Sequence, residues 1–190
     1  SARLIIFLVR HAEPVPPGTE SYEENERPLS EAGRAAALAL AAELATHRPV
    51  ALYSSPYPRA RQTIEPLALQ LGIAIETIDD LRERLLTAAP LKNWRDELRR
   101  AWEDFDFKLA GGESSREAQL RVLRVLNDLR ARHAHGAIEL ASHGNLIALA
   151  LNAMVPRVDF DFWESIPLPA VYRLEFVLGR WRVASGPSLL

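Results

Sequence analysis

The chain has no cysteine. That single absence removes disulfides, thiolate metal sites and cysteine nucleophiles together. Charge of one sign is also lacking, since 23 basic residues face 25 acidic ones for a net charge of −2. Such a balance leaves no electrostatic footprint for nucleic acid or an anionic membrane, and neither is expected as a partner. Long apolar runs are missing too. The longest weakly charged stretch, Leu140 to Pro156, carries His143, Asn145 and Asn152 and is too short to span a bilayer. The apolar run from Leu4 is too short for a secretory signal and ends in Arg10-His11. What remains is a globular composition, with 48% hydrophobic and 25% charged residues. At 190 residues the chain fits one domain, expected over 1–190, with a full core and a cytoplasmic location.

Turning to what is present, Leu4-Ile5-Ile6-Phe7-Leu8-Val9 reads as a strand buried on both faces. Its carboxyl end delivers Arg10 and His11, the place where open α/β sheets bind ligands. A cation and an imidazole there suit a phosphate site, and a capped strand followed by a surface loop accounts for the dipeptide equally well. Pro14 to Arg27 is turn-rich and acidic, with Glu20, Glu23, Glu24 and Glu26, and is expected to be a mobile loop over the site or, equally, a solvated acidic loop.

Further elements follow at regular intervals. Ser30 caps a helix running to about Ala45, and Ala51–Ser54 is a second strand. Pro58 opens a helix that Gly72 stops at Leu71, and Ile73 to Ile78 alternates as an edge strand. A helix is expected over Pro90 to Asp106. Ser114 and Glu117 have capping-box spacing before a stripe of Val122, Val125, Leu126 and Leu129. Ile138–Ala141 is a fourth strand, Leu146 to Val155 a buried helix, and 171–178 with 181–184 a terminal hairpin. Strands alternating with helices predict an α/β three-layer sandwich: a mainly parallel central sheet, helices on both faces, and an antiparallel hairpin at one edge.

In a parallel sheet the loops after successive strands share one rim. Arg10 and His11 follow the first strand, Arg59 the second, and His143 the fourth, so the four side chains can converge. Arginine offers a charged planar fork matched to phosphate oxygens. Helices opening at Pro58 and near Gly144 would bring N–H groups to the same anion. A neutral histidine can attack phosphorus through one ring nitrogen while the other donates to a backbone carbonyl. No metal-ligand spacing accompanies the histidines, so no cofactor is expected. His47, His133 and His135 are read as structural.

Five blocks now carry a resemblance. They are Leu8-Val9-Arg10-His11, Pro28-Leu29-Ser30-Glu31-Ala32-Gly33, Ser54 through Thr63, Gly111-Gly112-Glu113-Ser114 and Ser142-His143-Gly144-Asn145. In this order, over residues 4 to about 155, they resemble the histidine phosphatase superfamily, the phosphoglycerate mutase-like group. The resemblance implies that His11 becomes phosphorylated and that Arg10, Arg59 and His143 hold the phosphoryl group. The family's acid corresponds to Glu83 in Leu81-Arg82-Glu83-Arg84, with Glu13 as the alternative. It implies a small phosphorylated metabolite, or a phosphoprotein, as substrate; the oligomeric state is not implied.

Ala12 stands where the family usually has glycine, and Pro17 where mutases commonly place asparagine. Together with the lack of longer insertions, these departures favour phosphomonoester hydrolysis over mutase-type transfer. The remaining alternative is a weakly active module that binds a phospholigand. The surface for the leaving group is expected from Glu13–Arg27 and Thr87–Lys108, where Trp94, Trp102 and Phe105 suit either a pocket or a core.

Overall fold

The computed structural model describes residues 3–18 and 23–189. Six strands form one sheet: β1 (Leu4–Arg10), β2 (Ala51–Ser54), β3 (Ile75–Thr77), β4 (Gly136–Ser142), β5 (Ala170–Val177) and β6 (Arg180–Ser185). Their order is β3-β2-β4-β1-β5-β6. The pairs β3/β2, β2/β4 and β4/β1 are parallel, whereas β1/β5 and β5/β6 are antiparallel. The mixed sheet with an antiparallel hairpin at one edge is the predicted one.

Six helices cover it: α1 (Glu31–Ala45), α2 (Pro58–Leu71), α3 (Trp94–Glu103), α4 (Ser115–Arg132), α5 (Gly144–Met154) and α6 (Phe160–Ser165). Period-2 alternation sorts the central strands between two layers. Leu4, Ile6 and Leu8 of β1 join Ile138 and Leu140 of β4 on one face, against α4, α5 and α6. Val9, Leu52 and Ala141 point the other way, onto Leu40 and Leu44 of α1 and Ile64 and Leu67 of α2. Each such fully buried aliphatic side chain contributes about 1.5–3 kcal/mol, which fixes register and layering together.

Local signals act as expected at most boundaries. The Ser30 hydroxyl accepts from the Gly33 N–H, and Ser114 and Glu117 form a complete capping box. Gly72 ends α2 in the left-handed region at φ 66°. Two expectations need correction, and one helix was not foreseen. The edge strand is only Ile75–Thr77, because a single neighbour, β2, holds it and the chain at 73–74 is still leaving the helix cap. The helix expected over Pro90 to Asp106 is Trp94–Glu103: Lys92 and Asn93 form a turn, and Asp104 is extended. The buried apolar run from Leu146 lies within a helix that starts at Gly144, where its opening was expected. Helix α6, opened by the Asp159 carboxylate on the Phe162 N–H, is too short for its periodicity to show in the sequence. Among the described residues no helix is long and apolar enough to cross a membrane. Glu20 of the acidic loop lies outside the described residues.

Candidate active site

The parallel strands β1, β2 and β4 end along one rim, and the next residues line a cavity of about 790 Å³. Arg10, His11, Arg59, Glu83, His143 and Gly144 all line it. The ladder continues past the strand ends through His11 N–H to Ser142 O and Ser55 N–H to Ala141 O. Those bonds hold the catalytic candidates to the sheet instead of leaving them on free loops.

His11 is buried, and its Nδ1 lies 2.7 Å from the Ala12 carbonyl. A carbonyl can only accept, so Nδ1 carries the hydrogen and Nε2 keeps the lone pair in the neutral ring. Burial pushes the ring's pKa down to about 3, and the guanidiniums of Arg59, Arg10 and Arg27 push in the same direction. His11 is therefore neutral throughout the physiological range. Ala12 is fully buried, and its N–H donates to the Thr63 hydroxyl, which itself donates to the Arg59 carbonyl. One small residue thus links the histidine's turn to α2.

The His143 ring lies 5.2 Å from that of His11, edge to face. Its Nε2 is 2.8 Å from the Ser55 hydroxyl, and its Nδ1 is buried without a protein partner. Burial, reinforced by His11, Arg59 and Arg10, holds His143 well below the ordinary histidine range. Arg10 donates from Nη1 to the Ile166 carbonyl, while its buried Nε has no protein partner. Arg59 donates to the Glu24 carbonyl at 2.8 Å. Cations and neutral imidazoles thus line one wall of the cavity, an arrangement suited to a phosphoryl group.

Glu83 departs from the simplest expectation. Its two oxygens accept from the Asn145 and Leu146 N–H groups at the start of α5, and Oε1 also accepts from the Arg84 N–H. Those α5 donors, expected to meet the anion, are taken up by a carboxylate of the chain itself. Gly144 serves a different need: a Cβ there would lie 2.7 Å from the Arg10 guanidinium carbon. Glycine lets that guanidinium rest against the first turn of α5. Glu83 pairs with neither flanking arginine: Arg82 binds Asp79 and Asp80, and Arg84 binds Ser115 and the Glu113 carbonyl. Glu13 is outside the cavity lining and accepts from the Ser30 hydroxyl at the start of α1.

Sequence reasoning missed Arg27, Ser55 and Asn145. Arg27 lines the cavity, forks onto the Glu24 carboxylate and donates to the Val15 carbonyl. Each of the three lies within or beside a block already singled out, and only the folded geometry gives it a role. Of the aromatic candidates, Trp94 lines the cavity, whereas Trp102 packs in the core against Phe105. Among the described residues no three His, Asp or Glu side chains form a metal-ligand cluster.

Known proteins share the sequence family and the fold. A family model described as the histidine phosphatase superfamily (branch 1) matches residues 6–186. The glucosyl-3-phosphoglycerate phosphatase of Mycobacterium tuberculosis is 29% identical over 180 residues, covering 87% of this chain and 80% of the relative. A native structure of mycobacterial glucosyl-3-phosphoglycerate phosphatase superposes with a TM-score of 0.78 at 25% identity, over 97% of this chain and 98% of that one. A phosphoserine phosphatase mutant from Entamoeba histolytica shares the fold, with a TM-score of 0.75 at 18% identity over 98% of this chain and all of that one (100%).

Proposed function

The chain belongs to the histidine phosphatase superfamily (branch 1), and from that premise we propose that it hydrolyses a phosphomonoester through a phosphohistidine at His11 without a metal ion. The observation that carries the reading is the His11 ring: neutral, with Nδ1 tied to a backbone carbonyl and Nε2 keeping its lone pair in a cavity lined by arginines.

In the first step Nε2 attacks phosphorus and the ester P–O bond breaks. Negative charge grows on the phosphoryl oxygens and on the leaving oxygen. Arg10 and Arg59, with His143 beside them, stabilise the phosphoryl oxygens electrostatically, a role that elsewhere falls to a divalent cation. Glu83 relays a proton, drawn from the bound phosphate monoanion, to the leaving oxygen. In the second step the Glu83 carboxylate takes a proton from water as that water attacks the phosphohistidine. Inorganic phosphate leaves with that proton, and both His11 and Glu83 return to their starting states. The substrate class is a small phosphorylated metabolite, and the whole domain is taken to act as one catalytic unit.

The test is phosphate release from p-nitrophenyl phosphate in the presence of excess EDTA. Turnover should be unaffected by the chelator and lost in His11→Ala. Loss on chelation with recovery on adding a divalent cation would move the enzyme to another mechanism.

A further inference from the structure

The cavity has two chemically distinct halves. Beyond the cationic wall its lining comes from the segment between β3 and α3, from the first residue of α3, and from α6 and the turn after it: Leu86, Leu91, Trp94, Trp163 and Leu168. Trp94 is 49% exposed and Leu168 42% exposed, so two large apolar groups stand at an accessible surface of the cavity. Trp94 and Trp163 meet edge to face with ring centres 6.4 Å apart, which gives this wall a defined shape. Solvent-facing apolar groups converging beside a reaction centre mark a binding surface rather than a core.

Charge is the second observation. Among the described residues the cationic side chain lining this half is Arg84; its two terminal nitrogens are bound to the Ser115 hydroxyl and the Glu113 carbonyl, which leaves its buried Nε as the donor without a protein partner. A leaving group bearing a carboxylate, as in a phosphoglycerate, finds no counter-charge of the kind gathered around the phosphoryl end. Desolvating that carboxylate against leucine and tryptophan would be costly.

Resting on the hydrolysis reading above, we propose that the leaving group of the substrate is an uncharged, predominantly apolar alcohol, bound by Leu86, Leu91, Trp94, Trp163 and Leu168. The phosphoryl end supplies anchorage common to all phosphomonoesters, and the apolar half chooses among them. Trp94 is the specificity-determining residue accessible to test, because it is half exposed and its truncation leaves the core intact.

The experiment compares kcat/KM for three alkyl esters of similar leaving-group chemistry: n-hexyl phosphate, glycerol 3-phosphate and 3-phosphoglycerate. Hexyl phosphate should exceed both by about tenfold or more, since a few buried methylenes supply that much discrimination. Trp94→Ala should cut the hexyl-to-glycerol ratio by about tenfold, mainly through KM. Leu91→Lys should move the preference toward 3-phosphoglycerate. Equal or faster turnover of glycerol 3-phosphate or 3-phosphoglycerate by the unmodified enzyme would overturn the proposal while leaving hydrolysis intact. If no ester, p-nitrophenyl phosphate included, releases phosphate, the hydrolysis reading fails and calorimetry decides the pocket. Tighter binding of hexyl phosphate, weakened in Trp94→Ala, upholds it; equal affinity for hexyl and glycerol phosphates rejects it.

Discussion

Two pairs of titratable groups, each containing a histidine, sit on the same sheet and are built in opposite ways. At the carboxyl end of β1 and β4, His11 and His143 face each other among arginines, and each engages the chain through a single ring nitrogen. After α1, His47 stacks on Phe7 with ring centres 3.7 Å apart and lies 2.8 Å from the Glu139 carboxyl. Burial disfavours the charged form of both members, lowering His47 and raising Glu139 to about 8. A hydrogen bond joins the Glu139 carboxyl to the His47 Nδ1. Burial and shifted protonation are thus shared by both pairs and mark neither as a site. What separates them is position and surroundings: the first pair lies at the ligand-binding rim beside cations, while the second joins a helix end to the middle of β4.

The largest effect expected is at His11. His11→Ala should lower kcat/KM by about 10⁴-fold or more, as removal of a covalent nucleophile does. His47→Ala should instead leave kcat within about twofold and lose about 1–3 kcal/mol of stability in urea unfolding, the cost of a buried carboxyl left without its partner. A large activity loss in His47→Ala would erase the distinction between the pairs.

A smaller but more informative effect is expected at Glu83. Glu83→Gln should cost about 10²–10⁴-fold for alkyl phosphates, and much less for nitrophenyl phosphate, whose leaving group needs little protonation. An equal cost for both esters would reduce Glu83 to a cap on α5. Arg59→Ala should cost about 10²–10³-fold, spread over KM and kcat, because it holds the phosphoryl group in ground and transition states alike. An effect confined to kcat would contradict that role.

A last effect, on stability and not on turnover, sharpens the second pair. Glu139 carries a proton in the folded protein up to about pH 8, whereas the unfolded chain releases it above the ordinary glutamate value of 4.5. More protons are bound in the folded state over that window, so this residue's contribution to stability falls as pH rises from 4.5 to 8. Relative to Glu139→Gln, the unmodified protein should lose up to about 1.4 kcal/mol per pH unit there. Parallel stability profiles for the two proteins would show that Glu139 ionises normally.

The sheet, its two helical layers and the convergence of Arg10, His11, Arg59 and His143 were legible because they rest on local signals. Apolar runs, a serine cap, a proline at a helix start and residues at strand ends report themselves within a few positions. What could not be read depends on contacts between distant segments. Glu83 meets the N–H of Asn145 across 62 residues, and Glu139 meets His47 across 92. Neither pairing leaves a periodicity or spacing in the sequence. Arg27 was hidden differently: its bonds to Glu24 and Val15 reach only 3 and 12 residues back, within an irregular loop that has no periodicity to read. The apolar half of the cavity combines residues from about 86 to 98 with Trp163 and Leu168. Helix α6, which brings Trp163 there, was too short to be predicted.

The central claim is that His11, and no other histidine, carries the phosphoryl group. Rapid acid-free quenching of enzyme with labelled substrate, followed by proteolysis and mass spectrometry, tests it directly. A base-stable, acid-labile phosphate on the peptide containing His11, absent from His11→Ala, is the expected result. Label on the His143 peptide instead, or normal turnover by His11→Ala, would contradict it.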